Sequence, residues 1–313
     1  MNTTTAADLG LSAEPLAAGP GDPPPVHVRA RLDAQLRALL AHEPGTREGT
    51  DPEELHQMRV AVRRMRSVLK HSGALLGGEA DALRTSLRWL GDALGEVRDN
   101  DVLIGRLRDT VADFDERDQP PAERLIAGFV AERGQAKRRL NRKFGTARYS
   151  RLLEDIAQLV RRPGTDTDDA STEADADRTA LVSTLRKPHK KLRKDLATLP
   201  DSPADDDLHA LRIRGKRLRY AAELARPAAG KKEAKRLKAL IKASKRLQDT
   251  LGAHQDAVVA TERMRELARD AADSEVGFIA GRIAERELAR RARARKDWPK
   301  AAAKVNATAR AVL

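Results

Sequence analysis

Basic residues recur at helical spacing in two places, and each series begins with a histidine. The first column steps by three and four residues and comprises His56, Arg59, Arg63, Arg66 and Lys70, with no acidic residue between its ends. The second column keeps this spacing and comprises His209, Arg212, Lys216 and Arg219. Like charges four residues apart on a helix repel by about 0.2–0.5 kcal/mol per pair. Two such columns therefore predict a surface that binds a multiply charged anion.

Other basic residues add to this charge. Six of them fall within nine residues: Arg186, Lys187, Lys190, Lys191, Arg193 and Lys194. Four more step by three and four, namely Lys235, Lys238, Lys242 and Lys245, and Arg88 is the first-half counterpart of Lys245. We expect supporting contacts from Lys190, Lys194, Arg88, Lys242 and Lys245. If these faces converge on a groove or pore, a chain of phosphates fits it, because Arg makes bidentate contacts and Lys supplies a point charge.

Two equivalent helices must position the columns. An apolar stripe lies beside the first column and consists of Leu55, Met58, Val62, Met65 and Leu69. The corresponding stripe beside the second column is Leu208, Leu211, Gly215 and Leu218. Asp51-Pro52 supplies an N-cap and a proline in the first turn, and Ser202-Pro203-Ala204-Asp205 offers the same signals. Both segments are therefore predicted to be amphipathic helices with one face in a core.

The chain contains an internal repeat. Residues 55–66 realign with 208–219 at an offset of 153, and Asp92–Gly95 with Asp99 realigns with Asp249–Gly252 and Asp256 at an offset of 157. We expect helices over 80–95 and 99–112, and over 231–251 and 254–272, so that Asp99 and Asp256 cap the second helix of each pair. Short glycine and proline loops favour antiparallel neighbours. The prediction is an all-α fold of two antiparallel helical bundles, related by a pseudo-twofold axis around a central basic channel.

Composition supports this class and narrows the function. The 313 residues are 3% aromatic and rich in Ala, Leu, Arg, Glu and Lys, which favours helices over sheets. The net charge of +13 arises despite 47 acidic residues, and a strongly basic protein usually has a polyanionic partner. Cysteine is absent, which excludes disulfides and thiolate chemistry. With no long apolar run, we expect a soluble, cytoplasmic protein that makes no membrane contact.

Composition also sets the expected domain boundaries. Residues 1–26 are rich in Thr, Ala, Gly and Pro and are predicted to be a disordered tail, and residues 298–313 are expected to form a C-terminal tail. An acidic linker is expected over 163–177, where Asp and Glu crowd among small polar residues. It separates a first bundle over 27–162 from a second over 178–297.

These motifs resemble the CHAD family, the conserved histidine alpha-helical domain. The resemblance rests on His56–Arg66, His209–Tyr220, Leu94–Asp99 and Leu251–Asp256, and it extends from about residue 26 to 297. It implies helical bundles around a basic channel that binds inorganic polyphosphate without hydrolysing it. It also makes polyphosphate granules a candidate location. Relatives often carry a triphosphate-tunnel hydrolase domain, of which this chain has no motif, so a stand-alone binding domain is expected. Gln255 departs from the arginine found at Arg98.

Three alternatives compete with this interpretation. A metal site is disfavoured because no two histidines have zinc-helix spacing, and Asp99 and Asp256 are explained by capping and by salt bridges to arginines. An enzyme of phosphate metabolism is disfavoured because no glycine-rich phosphate loop or nucleophile arrangement is present. Nucleic acid is the main competing ligand, but the few aromatics do not interleave with the columns. We therefore expect only non-specific nucleic-acid binding, and no cofactor.

Overall fold

A computed structural model describes residues 4–19, 22–72, 79–162, 183–227 and 229–313. The acidic linker expected over 163–177 lies outside these residues. Five α-helices lie in the described part of the first half: α1 Pro24–Glu48, α2 Pro52–Ser72, α3 Ala80–Val111, α4 Gln119–Phe144 and α5 Ala147–Arg161. Four lie in the described part of the second half: α6 Arg186–Thr198, α7 Asp205–Ala225, α8 Lys231–Asp270 and α9 Ser274–Arg310. The described part of the chain contains no strand, so the prediction of an all-α fold is confirmed.

The N-termini of α2 and α7 differ from each other. The Glu53 backbone N–H donates to Asp51 Oδ1 at 2.8 Å, as expected for an N-cap. At α7 the cap position is Ala204, which has no side chain to accept a hydrogen bond, and Pro203 precedes it. Asp207 compensates, since its carboxylate accepts from the Ala204 backbone N–H at 3.0 Å. The predicted positions of the two helix starts are therefore correct, whereas the predicted capping group of α7 is wrong.

Helices α3 and α8 are each continuous where two helices were expected. Asp99 lies inside a helix of 32 residues and Asp256 inside one of 40 residues, so neither caps a helix. The glycines before them do not end the helices, because buried Leu94 and Val97 continue the apolar face through Gly95. A helical glycine costs only about 1 kcal/mol relative to alanine, which this burial outweighs.

Both apolar cores draw on both halves of the chain. The larger core joins residues such as Leu36 and Met58 from the first half to Leu218 and Leu247 from the second. A smaller core lies at the far ends of the long helices α3, α4, α8 and α9. Its buried residues include Leu107, Phe129, Met264 and Ile279. The halves therefore share their cores, which differs from the expectation of two bundles with separate boundaries at 27–162 and 178–297.

The segments predicted to be tails are packed. Leu9 and Leu11 are buried in the larger core, and the Leu16 backbone N–H donates to Asp33 Oδ2 at 2.7 Å. Helix α1 begins at Pro24, inside the predicted tail over 1–26. At the other end, α9 continues to Arg310 and buries Val305 in the larger core, so residues 298–313 are mostly helix. The Thr, Ala, Gly and Pro content of residues 1–26 suggested disorder, but Leu9 and Leu11 in this segment pack into the larger core.

None of the described helices combines the length and the apolar character that crossing a bilayer requires.

Candidate functional site

Helix α2 presents its two faces as the sequence predicts. Leu55, Met58, Val62, Met65 and Leu69 are all buried in the larger core. The basic residues beside them are half-buried, with the exception of Lys70, which is exposed. These half-buried residues are His56, Arg59, Arg63 and Arg66. Core packing of the apolar stripe therefore fixes the direction in which the first column points.

The two columns meet where α2 packs against α7. Arg59 and Arg63 of the first column are close enough to Lys216 of the second to lower its pKa, as are Arg212 and Arg219 on α7 itself. We call these five residues the central cluster. The structure therefore brings together side chains that lie about 150 positions apart in the sequence.

Lys216 is the most perturbed cation of the central cluster. Burial is the main cause that lowers the pKa of its ammonium group, and repulsion from Arg212, Arg63, Arg59 and Arg219 adds to the effect. Together they bring the pKa from 10.5 to about 8. A desolvated lysine among four arginines is unfavourable in the absence of an anion.

The arginines of the central cluster are also short of partners. The Nε atoms of Arg63, Arg212 and Arg219 are buried and make no hydrogen bond. A buried donor without a partner costs about 1–3 kcal/mol. Burial lowers the pKa of Arg63, although the Tyr220 hydroxyl nearby acts in the opposite direction. The cluster therefore holds buried positive charge that its protein surroundings do not balance.

Carboxylates pair with only some of these cations. Arg59 Nη2 lies 3.4 Å from Asp99 Oδ1, and Arg219 Nε lies 3.7 Å from Glu223 Oε1. Within the residues that the structure describes, no carboxylate oxygen comes within 4.0 Å of a side-chain nitrogen of Arg63, Arg212 or Lys216. These three residues carry the unbalanced charge.

Glycines in α3 and α8 leave room for Arg59 and Arg212 at equivalent positions in the two halves. A Cβ on Gly95 would lie 3.7 Å from Nε of Arg59, and a Cβ on Gly252 would lie 3.5 Å from Nη2 of Arg212. Each arginine thus lies against the backbone of the neighbouring long helix. The same contact in both halves gives the glycines of the repeated motif a structural role, which is space for a guanidinium group.

The two histidines have different partners. His209 Nδ1 lies 2.9 Å from Oε1 of Gln255, and the hydrogen bond between them orients the ring. His56 Nδ1 is buried without a partner. Burial lowers the pKa of His56, and the nearby Arg98 lowers it further. Gln255 stands at the position that is equivalent to Arg98 in the first half. His56 therefore lies next to a cation, whereas His209 lies next to an amide.

Two acidic residues lie at the edge of the central cluster. Burial raises the pKa of Asp99; Arg59 opposes this shift, and Asp256 adds to it. Asp256 Oδ2 is held by Arg106 Nη2 at 3.0 Å, and Arg106 Nη1 also lies 3.8 Å from the buried Glu287. The expected salt bridges to arginines are therefore present. Arg106, which the sequence analysis did not single out, is the partner of Asp256.

An open groove of about 390 Å³ runs between α2 and α3 beside the cluster. Its basic wall consists of Arg59, Arg63 and Arg66 on α2. Its other wall, on α3, consists of Gly91, Asp92, Gly95, Glu96 and Asp99. The groove exposes the first column to solvent. The acidic residues on the opposite wall give the groove a mixed charge.

The far end of the first column meets further cations. Partial burial lowers the pKa of Lys70, and Arg217, Arg84, Lys191 and Arg66 lower it further. Arg84 belongs to α3, Lys191 to α6 and Arg217 to α7, so three helices other than α2 contribute positive charge around Lys70.

The supporting residues expected from sequence lie farther out. Arg88 has an exposed side chain, and its Nε lies 3.7 Å from Asp92 of the same helix. The remaining four are also exposed, namely Lys190, Lys194, Lys242 and Lys245. No described contact joins any of the five to the central cluster.

Several residues near the columns were not selected from sequence. They are Arg84, Arg98, Arg217 and Tyr220. One signal for the first two is their spacing with Gly91 and Gly95, because positions 84, 88, 91, 95 and 98 step by four and three along the face of α3 that meets α2. Tyr220 carries no such signal, since a lone tyrosine on a helix is most often a packing residue. Over the described ranges, no group of three or more His, Asp or Glu residues could hold a metal ion.

Comparison with known proteins identifies the family. The family model described as CHAD domain matches residues 30–265. The uncharacterized protein Rv2226 of Mycobacterium tuberculosis is 30% identical over 273 residues, which are 86% of this chain and 49% of the relative. The chain thus spans about half the length of the curated relatives it matches.

Two solved structures share the fold. A CHAD domain from the plant Ricinus communis has a TM-score of 0.72 and 28% identity, with 97% of each chain covered. PptA from Streptomyces chartreusis has a TM-score of 0.67 at 18% identity, covering 90% of this chain and 99% of the other, and this likeness concerns the fold alone. The family match, together with the repeated basic columns, leads to one conclusion: the chain belongs to the CHAD-domain family.

Proposed function

We propose that this chain binds inorganic polyphosphate, without catalysis, at the central cluster and along the column that continues from it. The observation that carries the proposal is the unbalanced charge of Arg63, Arg212 and Lys216, which come from both columns and lack carboxylate partners in the described structure. A chain of phosphates supplies many closely spaced anionic oxygens, and each can accept charge-assisted hydrogen bonds.

The chemistry of the site favours binding over a reaction. Its half-buried residues are arginines, a lysine and histidines, which donate hydrogen bonds and neutralise charge. A hydrolase would also need a positioned base or nucleophile for attack on phosphorus, or a metal ion to activate water. Asp99 and Asp256, two carboxylates at the edge of the cluster, are engaged by Arg59 and Arg106.

Charge reversal at two residues tests the proposal. The variant carrying Arg63→Glu and Lys216→Glu should lose at least about 100-fold in affinity for long-chain polyphosphate, because loss of a buried charge contact costs about 2–5 kcal/mol. Affinity is measured by titration at fixed salt, and helicity by circular dichroism.

A matched control separates local from general electrostatics. Lys296 and Lys300 are exposed on α9, and no described acid pairs with them. The variant carrying Lys296→Glu and Lys300→Glu has the same change in net charge, and it should lose only a few-fold in affinity. Equal losses in the two variants, or wild-type binding by the first, would show that the central cluster is not the site.

A further inference from the structure

The first column ends at Lys70, and the basic helix α6 lies beside that end. Lys191 of α6 is one of the cations that act on the Lys70 ammonium group. The packing of α6 on α7 supports this placement independently, because Asp195 Oδ2 accepts from Arg214 Nε at 2.7 Å. Since the short connection between them makes α6 and α7 antiparallel, Lys191, one turn before Asp195, lies level with Arg217, one turn after Arg214.

One side of helix α6 packs against the protein, and the other side is exposed to solvent. Pro188, His189 and Leu192 are buried and hold the helix against the body of the protein. Lys187, Lys191 and Lys194 follow each other by four and three residues, so they share one face with Asp195. All three are exposed, and none has an acidic partner among the residues that the structure describes.

We propose that Lys187, Lys191 and Lys194 form an extension of the site that holds the part of a long polyphosphate chain emerging past Lys70. The inference rests on the proposed function and adds to it a determinant of chain length. A short oligophosphate fills the central cluster alone, whereas a long chain reaches α6 as well.

Helical geometry sets the lengths involved. His56 and Lys70 are fourteen residues apart on α2, which corresponds to about 21 Å along the helix. Lys187 and Lys194 add about 10 Å on α6. A phosphate trimer is too short to contact both the central cluster and α6, so only longer chains gain from the extension.

The test compares two probes on one variant. We expect Lys187→Gln, Lys191→Gln and Lys194→Gln together to weaken long-chain polyphosphate binding about tenfold and to leave tripolyphosphate binding unchanged. The salt dependence should also change for the long chain only. Each lost phosphate contact lowers the slope of log affinity against log salt by about 0.7, so the slope should fall by up to about 2.

A second triple variant serves as the control. Lys296, Lys300 and Lys304 on α9 are exposed and have a similar helical spacing, but no described contact links them to the first column. Their change to Gln should weaken long-chain binding no more than twofold. The inference is overturned if both triple variants lose long-chain affinity equally, or if the α6 variant loses tripolyphosphate affinity to the same extent. Wild-type protein that binds neither probe would refute the proposed function itself, which the wild-type titration reveals separately.

Discussion

Lys216 lies among four arginines where α2 packs on α7, with its pKa brought down to about 8. Such a cation destabilises the folded chain, since folding removes it from water and places it next to like charges. A site of this kind holds positive charge that can bind an anion, and this charge lowers the stability of the folded protein when no anion is bound. An anion that binds there reverses the effect, because it favours the protonated ammonium group.

Replacement of Lys216 by Met separates stability from binding. At pH 7 the variant should melt at a higher temperature than the wild type and bind polyphosphate more weakly, because the change removes a buried cation that the ligand needs. Thermal unfolding and titration measure the two effects. A variant that melts at a lower temperature than the wild type at pH 7 would contradict this account of Lys216.

The same residue predicts a pH dependence. Between pH 8 and 10.5 the unfolded chain keeps the Lys216 proton while the folded chain loses it, so the free energy of unfolding should rise with pH over this range. Polyphosphate affinity should fall over the same range as Lys216 loses its charge. Both trends should be smaller in the Lys216→Met variant. A wild-type affinity that does not change between pH 7 and 9 would argue against a charged Lys216 in the complex.

The members of each column could be predicted from sequence, but their environment could not. Steps of three and four residues place Arg59 and Arg63 on one face of a helix whatever the tertiary structure. The partners depend on how helices cross. The positions of Tyr220 beside Arg63 and of Arg98 beside His56 depend on how the helices pack against each other. No local sequence pattern predicts these positions.

At the scale of elements, the long helices α3 and α8 connect the two halves at the edge of the site. Arg106 on α3 holds Asp256 on α8, whereas the equivalent Asp99 pairs with Arg59 of its own half. Arg212 is the counterpart of Arg59, and it has no carboxylate partner in the described structure. We therefore expect Arg106 to act as a positioning residue that keeps Asp256 away from the second column.

A double-mutant cycle tests this role. Arg106→Gln should weaken polyphosphate binding about tenfold, because a released Asp256 can pair with Arg212 and repel the ligand. Asp256→Asn in the same chain should restore most of the affinity, since the competing carboxylate is gone. Titration of the two single variants and the double variant gives the coupling energy. Weak binding that persists in the double variant would mean that Arg106 acts in another way.

The sequence was a partial guide to these elements. The repeated motifs correctly predicted α2 and α7 and the apolar faces that orient them. Helix breaks were expected next to Gly95 and Gly252, whereas these glycines make room for Arg59 and Arg212 inside unbroken helices. A glycine that breaks a helix and one that makes room for a neighbour look alike until the neighbouring element is known.

At the scale of the whole molecule, the halves share two cores, and both ends of the described chain pack in the larger one. This arrangement holds α2 and α7 against each other, and it explains how a cluster of like charges can persist, because apolar burial over the whole fold outweighs the local repulsion. The competing ligand for so basic a protein is nucleic acid, whose phosphates satisfy the same donors.

A competition titration at physiological salt tests the central claim most directly. Labelled long-chain polyphosphate bound to the wild-type chain is displaced by unlabelled polyphosphate or by single-stranded DNA with the same number of phosphates. The account predicts that polyphosphate competes at least about tenfold more effectively, because closely spaced phosphates without bases fit a cluster of arginines and lysine that offers little aromatic surface for stacking. DNA that competes as well as polyphosphate, or better, would contradict it.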